Sequence, residues 1–312
     1  MKRILLTTAS ALMLAAGPAL AEWNPDGPIR LWIGYGAGGG TDVQGRTLAK
    51  EIEAKRGWQV IPENKAGDDG TVMSAQLKNE APDGQTLGFA ITTTYDFAPM
   101  NSDNLSPEDF TYITTTAGSQ MAVLARAESG WKTLEDLQAA AANEQIVWAN
   151  WGTQVEAGAE IVARALGIEV NHLRMKGGRG TLNALVSMDA NVAWGGGVQK
   201  PLVEAGELVI LSSAETGPVA LAPEMPTLMD QGIDLNLGYQ YIITGPADMP
   251  EEIRSEIATV VAEIIADPES ETRQFIEKQY PPAPIVTQGA ELREQILTTF
   301  ESNVAMMKAL AE

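Results

Sequence analysis

Gly34-Tyr35-Gly36-Ala37-Gly38-Gly39-Gly40-Thr41-Asp42 joins a strand pattern to a helix pattern. Before it, Ile29, Leu31 and Ile33 alternate with Arg30 and Trp32, the period of a β-strand. After it, Gly45, Leu48, Ala49 and Ile52 share one helical face, with Arg46, Lys50 and Glu53 largely opposite. A strand that passes through five glycines into a helix leaves backbone N–H groups unblocked at the helix N-terminus. Those donors and the positive end of the helix dipole suit an anion. Thr41 is expected to cap this helix, and Asp42 suits its acid-favouring first turn. Two other readings stay open. Gly34-x-Gly36-x-x-Gly39 fits the dinucleotide fingerprint with Glu63 as the ribose acid, and a glycine run also serves as a plain flexible turn. A phosphate P-loop is excluded, because no Gly-Lys-Ser/Thr follows.

The first residues read as an export signal: basic Lys2 and Arg3, apolar Ile4 to Ala16, then the small-x-small site Ala19-Leu20-Ala21. Residues 1–21 are therefore expected to be removed, leaving a soluble periplasmic protein with no membrane anchor. The chain has no cysteine, which excludes disulfides, thiol catalysis and cysteine metal sites. Its formal charge of −20 argues against nucleic acid and anionic membranes as partners. An anionic ligand would have to be attracted locally, against the overall field.

Further along, 59–62 reads as a strand, 63–70 as a turn-rich loop, 71–80 as a helix and 86–91 as a strand. This alternation predicts a parallel sheet with helices on its faces, and such sheets bind ligands at the C-terminal ends of their strands. Gly34–Asp42 lies at one such end, and Thr92-Thr93-Thr94-Tyr95 at another. In the middle of the chain, 146–149, 169–173 and 191–194 read as strands, with helices at 156–166 and 181–188 between them. Near the C-terminus, Ile253, Ile257, Val260 and Ile264 form one helical stripe. Leu292, Ile296, Phe300, Val304 and Met307 form another.

Catalysis has little to stand on. His172 is the only histidine, so a Ser-His-Asp triad or a multi-histidine metal site has at most one candidate, and the residue reads as structural. Asp68 and Asp69 read as solvated turn residues. No cofactor and no metal are expected. Binding has more support. Asn150-Trp151-Gly152-Thr153-Gln154 repeats the strand, glycine loop, helix arrangement, so a second helix N-terminus is available to grip a carboxylate from the other side. Neither glycine loop contains an arginine, which assigns recognition to neutral donors. Tyr35, Tyr95, Trp151 and Trp194 all fall at predicted strand ends, which favours a flat or aromatic ligand body. Thr93, with Thr92 and Thr94, or Gly195 to Gly197 would serve a second carboxylate.

Several segments together resemble the substrate-binding proteins of tripartite tricarboxylate transporters, the Bug-type extracytoplasmic receptors. They are Pro28-Ile29-Arg30-Leu31, Gly38-Gly39-x-Thr41-Asp42, Glu63-Asn64-Lys65-x-Gly67 and Ala81-Pro82-Asp83-Gly84-x-Thr86-Leu87. His172-Leu173-Arg174-Met175-Lys176-Gly177, the stretch 201–208 and Ala222-Pro223-Glu224-Met225-Pro226-Thr227 continue the likeness in the family's order. Two departures matter most: the family's Phe-Pro-Pro-Gly-Gly is here Tyr35-Gly36-Ala37-Gly38-Gly39, and the Asp ending its Gly-Gln-Val-Asp stretch is here Asn191, followed by Trp194-Gly195-Gly196-Gly197. The family's usual Ala-Gly is also Asp68-Asp69 here. The resemblance implies a two-lobed, type II-like periplasmic-binding-protein fold of α/β class, with a ligand cleft between mainly parallel sheets. It places lobe 1 at 22–121 plus 245–312, lobe 2 at 122–238 and a return crossing at 239–244, with Ala122 to Ala125 carrying the chain outward. It implies a monomeric receptor that holds a small organic carboxylate and hands it to membrane-embedded transporter subunits. The ligand carboxylate would meet main-chain N–H groups and ordered water at Gly38, Gly39, Gly40 and Thr41, with Asp42 holding the loop or taking a ligand ammonium or hydroxyl. Trp151, Gly152, Thr153 and Gln154 would supply donors from the second lobe. A periplasmic α/β enzyme using the Gly34–Gly39 loop for a nucleotide, and a receptor feeding a sensor kinase, are the alternatives.

Overall fold

The computed structural model describes residues 23–280 and 284–311; the expected signal segment and its cleavage after Ala21 lie outside the described residues. The chain opens with β1 (Ile29–Ile33), α1 (Gly40–Arg56), β2 (Val60–Asn64), α2 (Thr71–Leu77), β3 (Thr86–Ile91), the short α3 (Thr93–Asp96) and β4 (Phe110–Gly118). It continues through β5 (Ala122–Arg126), α4 (Leu134–Ala141), β6 (Ile146–Asn150), α5 (Thr153–Leu166) and β7 (Val170–Arg174). Then come α6 (Gly178–Val186), β8 (Val192–Gly195), α7 (Lys200–Glu204) and β9 (Leu208–Ser213). The return passage is β10 (Gln240–Pro246), and α8 (Glu251–Ala266), α9 (Glu271–Gln279) and α10 (Gly289–Ala311) end the chain.

Two five-stranded sheets result, in the orders β2-β1-β3-β10-β4 and β7-β6-β8-β5-β9. Each contains one antiparallel strand. β10 runs against both β3 and β4, and β5 against both β8 and β9. The two lobes thus share one topology, each with helices on its sheet, as the α/β reading implied. The physical driver is plain in β1, where every residue but Arg30 is buried and parallel ladders run on both sides. α1 covers this sheet with Leu48, Ala49 and Ile52. A Cβ on Gly45 would lie 2.9 Å from Phe89, so the helix comes this close only because that position is glycine. A left-handed Gly57 then stops α1, its N–H donating to the Glu53 carbonyl.

The crossings between lobes are tighter than expected. Ala122 to Ala125 is already strand β5 inside the second sheet, and 240–244 is already β10 inside the first. The links are short: Ser119 N–H donates to the Tyr239 carbonyl at 2.9 Å, and Tyr239 N–H donates to Ser119 Oγ at 2.9 Å. Half-buried Glu215 ties them to the second lobe by accepting from Ser119 Oγ at 2.6 Å and Met121 N–H at 2.7 Å. The stripe on α10 also drifts. Leu292 and Ile296 are fully buried, but Val304 is 44% exposed, and Asn303 is the buried residue on the last turns. Residues four apart advance about 40° around a helix at each step, so a strict spacing of four leaves the core within three steps. Met306 of the same helix packs against the core cluster of the second lobe. Among the described residues no helix is long and apolar enough to cross a membrane.

Candidate functional site

The loop after β1 is held from within. Gly38 has φ +78°, and its N–H donates to Asp42 Oδ2 at 2.8 Å. The other Asp42 oxygen accepts from Asn64 Nδ2 and Arg46 Nε, each at 2.8 Å. Burial pushes the Asp42 carboxyl up, but these hydrogen bonds outweigh it and leave the group below its usual range. Asp42 is therefore an ionised brace for the loop, and Asn64 adds a bond from Nδ2 to the Tyr35 carbonyl at 3.0 Å. This bracing does the work of the missing prolines. Thr41 does not cap the helix. The cap position is Gly39, without a side-chain bond, and Thr41 is a buried residue of the first turn. The first-turn N–H groups of Gly40 and Thr41 have no intrahelical acceptor, as in any α-helix. Facing them is the Tyr280 hydroxyl, 2.0 Å from where a Gly40 Cβ would stand, with that of Tyr241 at 2.8 Å. Tyr280 is 1% exposed, and its hydroxyl lies beside that of Tyr241 without a hydrogen bond of good geometry. Tyr241 lines the cleft beside Gly40 and Thr41, whose free N–H groups a ligand oxygen would satisfy.

The second lobe brings three strand ends to the same place. After β6, Trp151 lines the cleft and Gly152 caps α5. After β7, Lys176 and Arg179 reach it, and Arg179 Nε donates across the gap to the Gly38 carbonyl at 2.9 Å. After β8, the Gly196 carbonyl accepts from the Tyr239 hydroxyl at 3.3 Å. The lobes stand in contact, and about 60 Å³ of solvent-sized space remains between Tyr35, Gly39, Gly40, Thr41, Trp151, Lys176, Arg179 and Tyr241. A neighbouring cavity of about 200 Å³, sharing Tyr35, Trp151 and Lys176 as walls, is bounded by Asp68 and Asp69.

The expected residues divide. Tyr35, Gly39, Gly40, Thr41 and Trp151 line the main cleft. Gly38 and Asp42 shape its loop, and Gly152 and Thr153 meet Asp69 instead of open space. Thr93 and Gln154 bond each other across the lobes, with Thr93 Oγ1 donating to Gln154 Oε1 at 3.1 Å. Tyr95 and Trp194 are corrections. Tyr95 is buried in the first lobe against Phe110 and Tyr112, its hydroxyl 2.6 Å from Thr244 Oγ1. Trp194 is buried against Trp148 and donates its ring N–H to the Val155 carbonyl at 2.7 Å. An aromatic residue at a strand end reads the same whether its ring turns to the cleft or to the core. His172 is half-buried, bonded to Asn150 and to Glu160.

Three features escaped the sequence reading. Asp69 is not solvated but 7% exposed, and Thr153 N–H donates to its Oδ2 at 2.8 Å. Lys176 and Arg179 bring two cations to a cleft expected to offer neutral donors alone; the signal was there, since Lys176-Gly177-Gly178-Arg179 is a third strand, glycine loop, helix junction. Tyr241 and Tyr280, far away in sequence, carried no signal. Glu63, the ribose acid of the nucleotide reading, lines neither cavity of the cleft; its side chain is 55% exposed and 3.7 Å from Lys65. Among the described residues no group of three or more acidic, histidine or cysteine side chains could hold a metal.

Comparison with known proteins adds relatives to this geometry. The family described as the tripartite tricarboxylate transporter family receptor matches residues 45–279. A Cupriavidus necator protein, "UPF0065 protein in gbd 5' region", is 34% identical over 238 residues, covering 72% of this chain and 71% of that protein. The structure of the periplasmic binding protein BugD superposes with a TM-score of 0.80 at 20% identity, covering 92% of this chain and 98% of that one. MatC from Rhodopseudomonas palustris, solved with bound malate, gives a TM-score of 0.80 at 19% identity over 91% and 99% of the two chains. At these identities the two structures show the shared fold.

Proposed function

The chain belongs to the tripartite tricarboxylate transporter receptor family, a family of solute-binding receptors and not of enzymes, and from that premise we propose how it takes its solute. It captures a small organic carboxylate in the cleft between the lobes, in the periplasm, as a monomer, and delivers it to membrane-embedded transporter subunits. The observation that carries this reading is the convergence at the start of α1. Gly40 and Thr41, whose first-turn N–H groups have no intrahelical acceptor, line one cleft with Tyr241 and the cations Lys176 and Arg179. Backbone donors and a helix dipole bind a carboxylate without needing a buried counter-ion. Two exposed cations from the opposite lobe add charge-assisted bonds once the lobes close. They also offset locally the field of a chain whose formal charge is −20. Tyr35, Trp151, Tyr239 and Tyr241 supply the apolar wall.

A thermal-shift screen of the mature protein against aliphatic and aromatic mono-, di- and tricarboxylates tests the reading, because a ligand that binds only the folded state raises its melting temperature. One or more small acids are expected to stabilise it. Replacing both cations, Lys176→Met with Arg179→Met, should weaken the best acid by roughly 10- to 100-fold, the loss of one or two charge-assisted bonds. Both side chains are exposed, so the unliganded melting temperature should stay within about 1 °C. Stabilisation by nucleotides and by no acid would end the proposal.

A further inference from the structure

α5 presents the second helix N-terminus of the cleft, and the chain already fills it. Thr153 is the first residue of this 14-residue helix, and its N–H donates to Asp69 Oδ2 at 2.8 Å. The fit is close: a Cβ on Gly152 would lie 1.7 Å from one Asp69 carboxylate oxygen and 2.1 Å from the other. The loop that delivers Asp69 is itself held. Its main-chain carbonyl accepts from the Thr94 hydroxyl at 2.8 Å and the Tyr35 hydroxyl at 3.1 Å. Asp68 and Asp69 both adopt positive φ, 48° and 53°, the left-handed region that aspartate enters more readily than most residues other than glycine. That conformation does not by itself aim the Asp69 side chain across the gap. Nor does an ion pair. Arg174, the cation acting on Asp69, is bonded to Glu156 at 2.7 Å, and Asp68 and Glu156 add negative charge nearby. Asp69 meets the second lobe through the helix terminus.

We propose that Asp69 determines the ligand class: its carboxylate takes the α5 N-terminus that a second ligand carboxylate would need, so the receptor selects monocarboxylates over dicarboxylates. This rests on the carboxylate-receptor reading and narrows it. The ligand's single carboxylate lies at Gly40 and Thr41, and its far end points to the 200 Å³ cavity beside Asp68 and Asp69. There a neutral or hydrogen-bond-donating group is accepted, and an anion is repelled.

The test uses hexanoate and adipate, which share a six-carbon chain, titrated calorimetrically at pH 7.5 into the wild type and Asp69→Gly. Glycine suits the positive φ at this position, and unliganded melting curves check the fold of the variant. The wild type should favour hexanoate by roughly tenfold or more, the size of one charge-assisted hydrogen bond. Asp69→Gly should shift the ratio toward adipate by at least about tenfold, whatever happens to overall affinity. Asp69→Asn, which keeps the shape and removes the charge, should fall between. A wild type that binds adipate as well as hexanoate overturns the proposal, and so does a ratio unchanged in Asp69→Gly. If neither acid nor any other carboxylate binds either protein, the carboxylate-receptor reading itself fails, and this inference falls with it.

Discussion

Gly152→Ala is expected to hold the lobes apart and abolish tight ligand binding, although each lobe folds normally. The added methyl would stand 1.7 Å from Asp69 Oδ1, so either the Asp69 carboxylate leaves the start of α5 or the lobes separate, and the hydrogen bonds that hold the Asp69 loop favour separation. The backbone itself is not strained, since Gly152 has φ −174°, an extended conformation open to any residue. The collision therefore falls across the gap, between a helix start in one lobe and a loop in the other. Lobes kept open cannot bring Lys176 and Arg179 to a ligand on α1. Losing one or two charge-assisted bonds costs about 1.5–3 kcal/mol, or a roughly 10- to 100-fold weaker affinity. Small-angle scattering with a saturating acid should show the wild type more compact than Gly152→Ala, whose curve should not respond to the ligand. Adding Asp69→Gly removes the obstacle and should restore closure. A single variant that closes like the wild type would show that this contact does not govern closure.

Asp96→Asn is expected to raise stability at pH 8 and to leave it unchanged near pH 4. Asp96 is 4% exposed on α3, at a cavity behind the crossings that it shares with Glu215 and Tyr239. Among the described residues no lysine or arginine lines that cavity, and Tyr112 also lies within electrostatic reach. Burial pushes its carboxyl up to about 7, only partly opposed by a hydrogen bond from Thr92. The folded protein thus holds this proton more tightly than the unfolded chain, where the group titrates near 3.8. Its contribution is complete below about pH 4 and is lost as the pH rises through about 7. A change from 3.8 to about 7 corresponds to about 4 kcal/mol at most. Asparagine keeps the shape and the acceptor without the charge, so a gain of about 5 °C or more in melting temperature is expected at pH 8. Glu215, raised by burial at the same cavity, acts in the same direction and remains in the variant. Equal gains at pH 4 and pH 8 would exclude the titration as the cause.

Much of the α/β plan was legible because its signals are local. The alternation in Ile29–Ile33 and the stripe Leu48, Ala49, Ile52 are properties of the chain within a few residues, and both elements formed where those periods run. The glycine loop was legible for the same reason, since a strand leading into a helix leaves N–H donors at the junction in any fold. The departure at Asp68-Asp69 was visible too, but only as composition; nothing nearby reveals that Asp69 would be buried.

By itself, then, the sequence determined the elements, the family likeness and the position of two helix N-termini, all consequences of backbone geometry and short-range periodicity. The tertiary structure decided which side chains meet at those termini. Asp69 reaches Thr153 across 84 residues and Arg179 reaches Gly38 across 141, while Tyr280 arrives at Gly40 from the far end of the chain. Tyr95 and Trp194 turned the other way, into cores. Such contacts depend on how two separately packed lobes are set against each other. Their pairing is therefore a sum of long-range packing that no local pattern encodes.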